Sequence, residues 1–92
     1  MRHLLASVSL LSLISLVPLH ALASADCPAY PKEEWGDKEV LKNSLKEEGY
    51  KIKKFHVSGN CYEMYGRNKE GKKVEIYFDA KTFAVIKAEV QK

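Results

Sequence analysis

Two short runs set the tightest limit on what this chain can fold into. In the first, Tyr62 and Met64 alternate with Cys61, Glu63 and Tyr65. In the second, Val74, Ile76 and Phe78 alternate with Glu75, Tyr77 and Asp79. Period-two alternation is the mark of strands with one buried face. The linking Asn68-Lys69-Glu70-Gly71 has turn composition, so the two runs read as an antiparallel hairpin. Tyr62, Met64, Val74, Ile76 and Phe78 form its expected core side. Glu63, Tyr65, Glu75 and Tyr77 fall on the opposite side, together with Cys61.

The flanking segments supply the rest of a small layer. Asp37 is a good N-cap and Gly49 a good C′ residue for a helix over residues 38–48. Val40, Leu41, Ser44 and Leu45 give that helix a narrow apolar stripe, which must rest on the sheet. Trp35, just before the cap, reads as a lid on the core. Tyr50, Ile52, Phe55 and Val57 mark an earlier strand whose period slips by one. A β-bulge near Lys53 and Lys54 would return all four to one face. After the turn Asp79-Ala80-Lys81-Thr82, residues 83–90 make a last strand, with Ala84, Ile86, Ala88 and Val90 expected inward. The fold class is therefore α+β: one amphipathic helix packed on one face of a three- to four-stranded antiparallel meander.

The first 25 residues read as a secretory signal peptide. Arg2 and His3 open it, an apolar run from Leu4 to Leu19 follows, and small residues repeat at Ala21, Ala23 and Ala25. The apolar run is short for a membrane span, which needs about 20 residues. Cleavage after Ala25 is expected, with Ala23 the other small-x-small site. Asp26 stands immediately before Cys27 where a lipobox requires a small residue, which argues against lipidation. Residues 26–36 then form an arm that holds Pro28 and Pro31 extended, and residues 37–92 form the domain. No transmembrane segment is expected after cleavage, and the destination is periplasmic or secreted.

Cleavage would leave 67 residues, with 14 basic against 12 acidic and His56 the last histidine. A domain of this size is marginal on core burial alone. Cys27 and Cys61 are the only cysteines, and in an oxidising compartment an even count reads as one disulfide. With 33 residues between the cysteines, chain entropy gives such a bridge about 3–4 kcal/mol. A reactive thiol pair and a metal site are the alternatives. The lack of a Cys-x-x-Cys motif and of a neighbouring second histidine speaks against both.

No catalytic constellation, cofactor motif or metal-ligand pattern is present in the sequence. One mature histidine leaves no parts for a nucleophilic triad, and the glycines are scattered as turn residues. The reading is therefore not an enzyme, with no cofactor and no metal. His56 reads as a surface residue. Lys51, Lys53, Lys54, Arg67, Lys69, Lys72 and Lys73 can gather along one edge. Such an edge discourages sheet-to-sheet aggregation and can also land on lipid, wall polymer or an acidic protein. Export argues against nucleic acid. Tyr65 and Tyr77, if adjacent across strands, would centre a binding face bordered by Glu63 and Glu75.

Together these residues resemble PepSY-like domain proteins of the small secreted bacterial type. The likeness rests on Cys27-Pro28, Trp35, Leu45 with Gly49-Tyr50, the segment from Gly59 to Tyr65, the segment from Gly71 to Asp79, and Ala80-Lys81-Thr82. It implies a helix on an antiparallel sheet and a role in restraining peptidases, because similar domains occur in propeptides of secreted metallopeptidases. The family usually continues the Asp-x-x-Thr turn with Gly. Phe83 stands there instead, so this turn is expected to take another geometry. Two function classes follow: a module that binds a protein partner such as a peptidase, and an envelope module held to an anionic surface.

Overall fold

A computed structural model describes residues 24–91. All but the last two residues of the expected signal peptide therefore lie outside the described residues. Helix α1 (Lys38–Glu47) precedes four strands: β1 (Lys51–Ser58), β2 (Cys61–Arg67), β3 (Lys73–Asp79) and β4 (Val85–Val90). They form one antiparallel sheet in the order β1-β2-β3-β4, the expected α+β meander.

Local chemistry fixes the element ends. The Asp37 carboxylate accepts the Glu39 N–H at 2.8 Å and caps α1. Gly49 closes the helix at φ 99°, a left-handed conformation that glycine adopts without penalty. Leu41 and Leu45 bury the inner face of α1, whereas Val40, expected in the stripe, is 57% exposed. It lies one step round the helix from Leu41, beyond what β1 can cover. In β1 the register shifts between Ile52 and Lys54, which leaves Lys53 as the extra residue. Ile52, Phe55 and Val57 consequently oppose Gly66, Met64 and Tyr62. Gly66 is glycine for a reason of space: a Cβ there would collide with the Lys51 carbonyl oxygen beside the bulge.

The core gathers Leu41, Leu45, Tyr62, Met64, Val74, Ile76, Phe78 and Ala80, with Met64 fully buried. Trp35 closes one end as a lid. Its ring meets Tyr62 edge-on with centroids 5.4 Å apart, and its indole N–H donates to the Tyr30 carbonyl at 3.0 Å. The Tyr62 hydroxyl donates to the Gly36 carbonyl at 2.8 Å, which ties the arm to the sheet.

Two expectations need correction here. Phe83 keeps the left-handed conformation that glycine would take, at φ 66°. Its ring packs toward Tyr62 and over Gly36, where a Cβ would meet it at 2.6 Å. Ring burial thus offsets the roughly 1–2 kcal/mol that an L-residue costs in this region. The other correction concerns β4. Ala88 and Val90 do stand opposite Ile76 and Val74, but a register shift near Ile86 sets Val85 opposite Phe78. The strand is also left uncovered: Val85, Ile86 and Val90 are 58%, 39% and 55% exposed.

Candidate functional site

The sheet face away from α1 is built in four cross-strand rows. Lys51, Arg67 and Lys73 pair in register to make the first. Lys54, Tyr65, Glu75 and Glu89 make the second, and His56, Glu63, Tyr77 and Lys87 the third. Ser58, Cys61 and Asp79 make the fourth. Period-two alternation puts these side chains on one face, but only the pairing register decides which of them meet.

The fourth row is anchored covalently. Cys27 and Cys61 form a disulfide, with Cα atoms 5.4 Å apart. The arm passes the end of the sheet at the β3–β4 turn, not a strand edge as the position of Cys61 suggests. Gly36 N–H donates to the Ala80 carbonyl at 2.8 Å, and Lys81 pairs with Glu34 at 3.2 Å. Asp79 organises this turn. Its carboxylate accepts the Lys81 and Thr82 N–H groups at 2.8 and 2.9 Å, and Tyr30 hydroxyl lies 3.4 Å away. The Thr82 backbone bond, with that of Lys81, holds its pKa below the usual value although burial works the other way.

The third row is a buried polar network. His56 Nε2 lies 2.8 Å from Glu63 Oε1, so this histidine is not the free surface residue that its position beside Lys53 and Lys54 suggests. Glu63 and Tyr77 are only 4% and 3% exposed. The Tyr77 hydroxyl donates to Glu75 Oε2 at 2.8 Å. Burial, with a hydrogen bond to Glu75, pushes the Glu63 pKa up. Burial also opposes charge on Glu75, but hydrogen bonds with Glu63, Tyr77 and Tyr65 outweigh it and hold that pKa down. The two carboxyls are thus pushed apart, and Glu75 ionises more readily than Glu63. Burial pushes the Tyr77 hydroxyl up, and bonding to Glu75 pushes that of Tyr65 up to about 12.

The expected binding face therefore shrinks. Tyr65 and Tyr77 are not partners: Tyr65 opposes Glu75, and Glu63 opposes Tyr77. Of the four residues Glu63, Tyr65, Glu75 and Tyr77, only Tyr65 is exposed, at 40%, and Glu75 is half-buried. The reason is the network itself, which draws Glu63 and Tyr77 into bonds with His56 and Glu75. At the disulfide end, Ala25 carbonyl lies 3.6 Å from Cys61 Sγ and Lys87 donates to the Ser24 carbonyl, so the two residues that precede the arm border the same face.

At the opposite end the face opens into a groove of about 440 Å³. Lys51, Lys53, Arg67 and Lys73 line it beside Tyr65 and Glu75. Lys54, Lys69 and Lys72 do not line it. Lys54 stands across from Tyr65 in the second row, and Lys69 and Lys72 belong to the β2–β3 turn. Like charges directly opposite one another weaken a sheet. Lys51, Arg67 and Lys73 nevertheless stand in one row, and none forms an ion pair among the described residues. Arg67 spends one guanidinium N–H on the Gly71 carbonyl at 2.8 Å.

Sequence reasoning missed His56, Asp79 and Gly66. Asp79 was the most legible of the three, since Asp-x-x-Thr can bond its own turn. Gly66 was marked only by being a glycine inside a strand pattern. His56 needed the register to find Glu63. No group of three or more His, Cys, Asp or Glu side chains is arranged to hold a metal ion among the described residues. No helix among them is long and apolar enough to cross a membrane.

Compared with known proteins, residues 5–89 match the family described as PepSY_2, peptidase propeptide and YPEB domain. The match thus spans part of the expected signal peptide as well as the fold. No curated protein and no solved structure matches the chain. Domains of this family are generally non-catalytic, and the family and the disulfide are both consistent with an extracytoplasmic location.

Proposed function

The chain belongs to the peptidase propeptide and YPEB domain family, and from that premise we propose that it is a non-catalytic periplasmic or secreted module that binds a peptidase and restrains it. The signal peptide ends at Ala25, and Asp26 begins the mature chain. The groove beside Tyr65 carries the reading. It is the one place on this face where an exposed aromatic ring meets a row of cations without ion-pair partners among the described residues. Tyr65 offers contact area at low entropic cost and keeps a hydroxyl for bonding. Lys51, Arg67 and Lys73 select an acidic partner segment and repel basic ones. Glu63 and Tyr77 serve by holding the floor of the face rigid.

The test is affinity capture from an envelope extract of the producing cells, with hydrolysis of casein by the same extract as the second readout. The expected result is capture of a peptidase and slowed hydrolysis. Tyr65→Ser and Lys73→Glu, each with an unchanged circular dichroism spectrum, should lose both effects. Absence of capture with unchanged hydrolysis would remove the proposal.

The cation row favours one second reading, attachment to an anionic lipid surface. Binding to vesicles of phosphatidylglycerol would then vanish as salt shortens the Debye length from about 10 Å at 0.1 M to about 3 Å at 1 M. Such binding should not depend on Tyr65.

A further inference from the structure

Among the described residues, the outer edge of β4 is the less protected of the two sheet edges. We propose that it pairs with β4 of a second copy, joining two four-stranded sheets into one of eight across a twofold axis at Ala88. Gln91 N–H donates to the Lys73 carbonyl at 2.9 Å. Bonded and non-bonded positions alternate in an antiparallel pair. Lys87 and Glu89, which oppose Tyr77 and Glu75, therefore turn their backbone groups toward β3. Ala88 and Val90 turn theirs outward, whereas the register shift at Ile86 breaks the alternation there.

A second strand can bond fully only to those two residues, which restricts the register. With the axis at Ala88, Ala88 opposes its own copy and Ile86 opposes Val90. Lys87 then stands opposite Glu89, twice. Moving the axis to residue 87 would set Lys87 against Lys87, and moving it to residue 89 would set Glu89 against Glu89. Like charges directly opposite are destabilising, and opposite charges are stabilising. Of these three registers, charge thus selects the one in which the edge complements itself. Within one copy, Lys87 and Glu89 already pair at 3.6 Å. The second copy extends that pair to four alternating charges on the face away from α1.

The other face gives the same answer. Ala88 and Val90 continue the apolar side of Ile76 and Val74 but are exposed. Ile86 and Val90 are 39% and 55% exposed. In the dimer, Val90 of each copy lies beside Ile86 of the other. The contact is isologous, so it closes at two copies and does not propagate into a fibre.

The full-length chain, expressed in a host that exports and oxidises it, supplies the material. Light scattering over a hundredfold concentration range should show a monomer giving way to a dimer. Ala88→Cys should form a covalent dimer under air, because bonded antiparallel partners have Cα atoms about 5.5 Å apart, within disulfide reach. Lys72→Cys, in the β2–β3 turn, should not. Glu89→Lys should shift the mass to monomer, and adding Lys87→Glu should restore the dimer. A monomer at every concentration overturns the proposal without recourse to any variant. So does a dimer in which Ala88→Cys cross-links no faster than Lys72→Cys, since that dimer uses another surface.

Discussion

The two edge strands carry similar apolar sequence and meet opposite fates. β1 has Ile52, Phe55 and Val57; β4 has Val85, Ile86, Ala88 and Val90. Helix α1 lies over β1, where Lys42 Nζ sits 5.7 Å from the Phe55 ring. Among the described residues no helix lies over β4. A helix is about 10–12 Å across with its side chains, and strands are about 4.8 Å apart. One helix therefore covers roughly two strands of a four-stranded sheet. The uncovered edge of β1 is further guarded by a bulge and three lysines, two of the devices that keep edge strands from pairing. β4 also has a register shift, but one lysine and mostly apolar residues. The same alternating pattern thus yields a strand whose Ile52 and Phe55 are half-buried under the helix and one that stays exposed away from it.

The comparison breaks first at Leu45. Leu45→Ala should destabilise by about 2–5 kcal/mol in chemical denaturation, the usual cost of truncating a buried leucine. A small loss there would mean that α1 does not hold the β1 side.

Asp79 tests the turn that leads into β4. Asp79→Ala removes a buried carboxylate from two backbone N–H groups, and bonds to charged groups are worth about 1.5–3 kcal/mol. The pH dependence follows from the lowered pKa. The contribution is fully present above the ordinary aspartate value and is lost as pH falls through the lowered folded value. Glu63 has the opposite sign, because its raised pKa favours the fold in acid and loses that contribution as pH rises. Asp79→Asn should therefore flatten the acid limb of the stability profile. An unchanged limb would assign acid sensitivity elsewhere.

Gly66→Ala probes the bulged side. The added methyl meets the Lys51 carbonyl, so β1 must shift, with an expected loss of about 1–3 kcal/mol as for other overpacked sites. Hydrogen exchange should rise in β1 before it rises in β3 or β4. Equal exchange in all strands would show that the close approach does not set the β1–β2 pairing.

The smallest effect belongs to the naked edge. Val85→Ala, at a residue 58% exposed, should stay within about 0.5 kcal/mol when measured on dilute monomer. A loss as large as that of Leu45→Ala would put a covering element over β4 and end the contrast between the edges.

Much of this was legible in the residues. The hairpin, the caps at Asp37 and Gly49, the bulge near Lys53 and the α+β class all follow from period and turn chemistry, which are local properties. The Trp35 lid was legible too, as a large ring beside a helix cap. The candidate site was legible only in part. Alternation put Tyr65, Tyr77, Glu63 and Glu75 on one face but said nothing of depth. Burial of Tyr77 and Glu63 depends on His56 and on the cross-strand register, and both involve residues distant in sequence.

By itself, then, the sequence determined which side of each central strand faces the core, where the chain turns and which two cysteines are available to bond. Those properties follow from side-chain chemistry at fixed spacing along the backbone. Tertiary structure alone decided that Phe83 would hold a glycine's conformation, because Gly36 had to arrive from the arm to make room for its ring. It decided that three cations would share a row beside Tyr65, because a row exists only once three strands are in register. It also decided that β4 would stay uncovered, because a single helix is too narrow to reach both edges of the sheet that it covers.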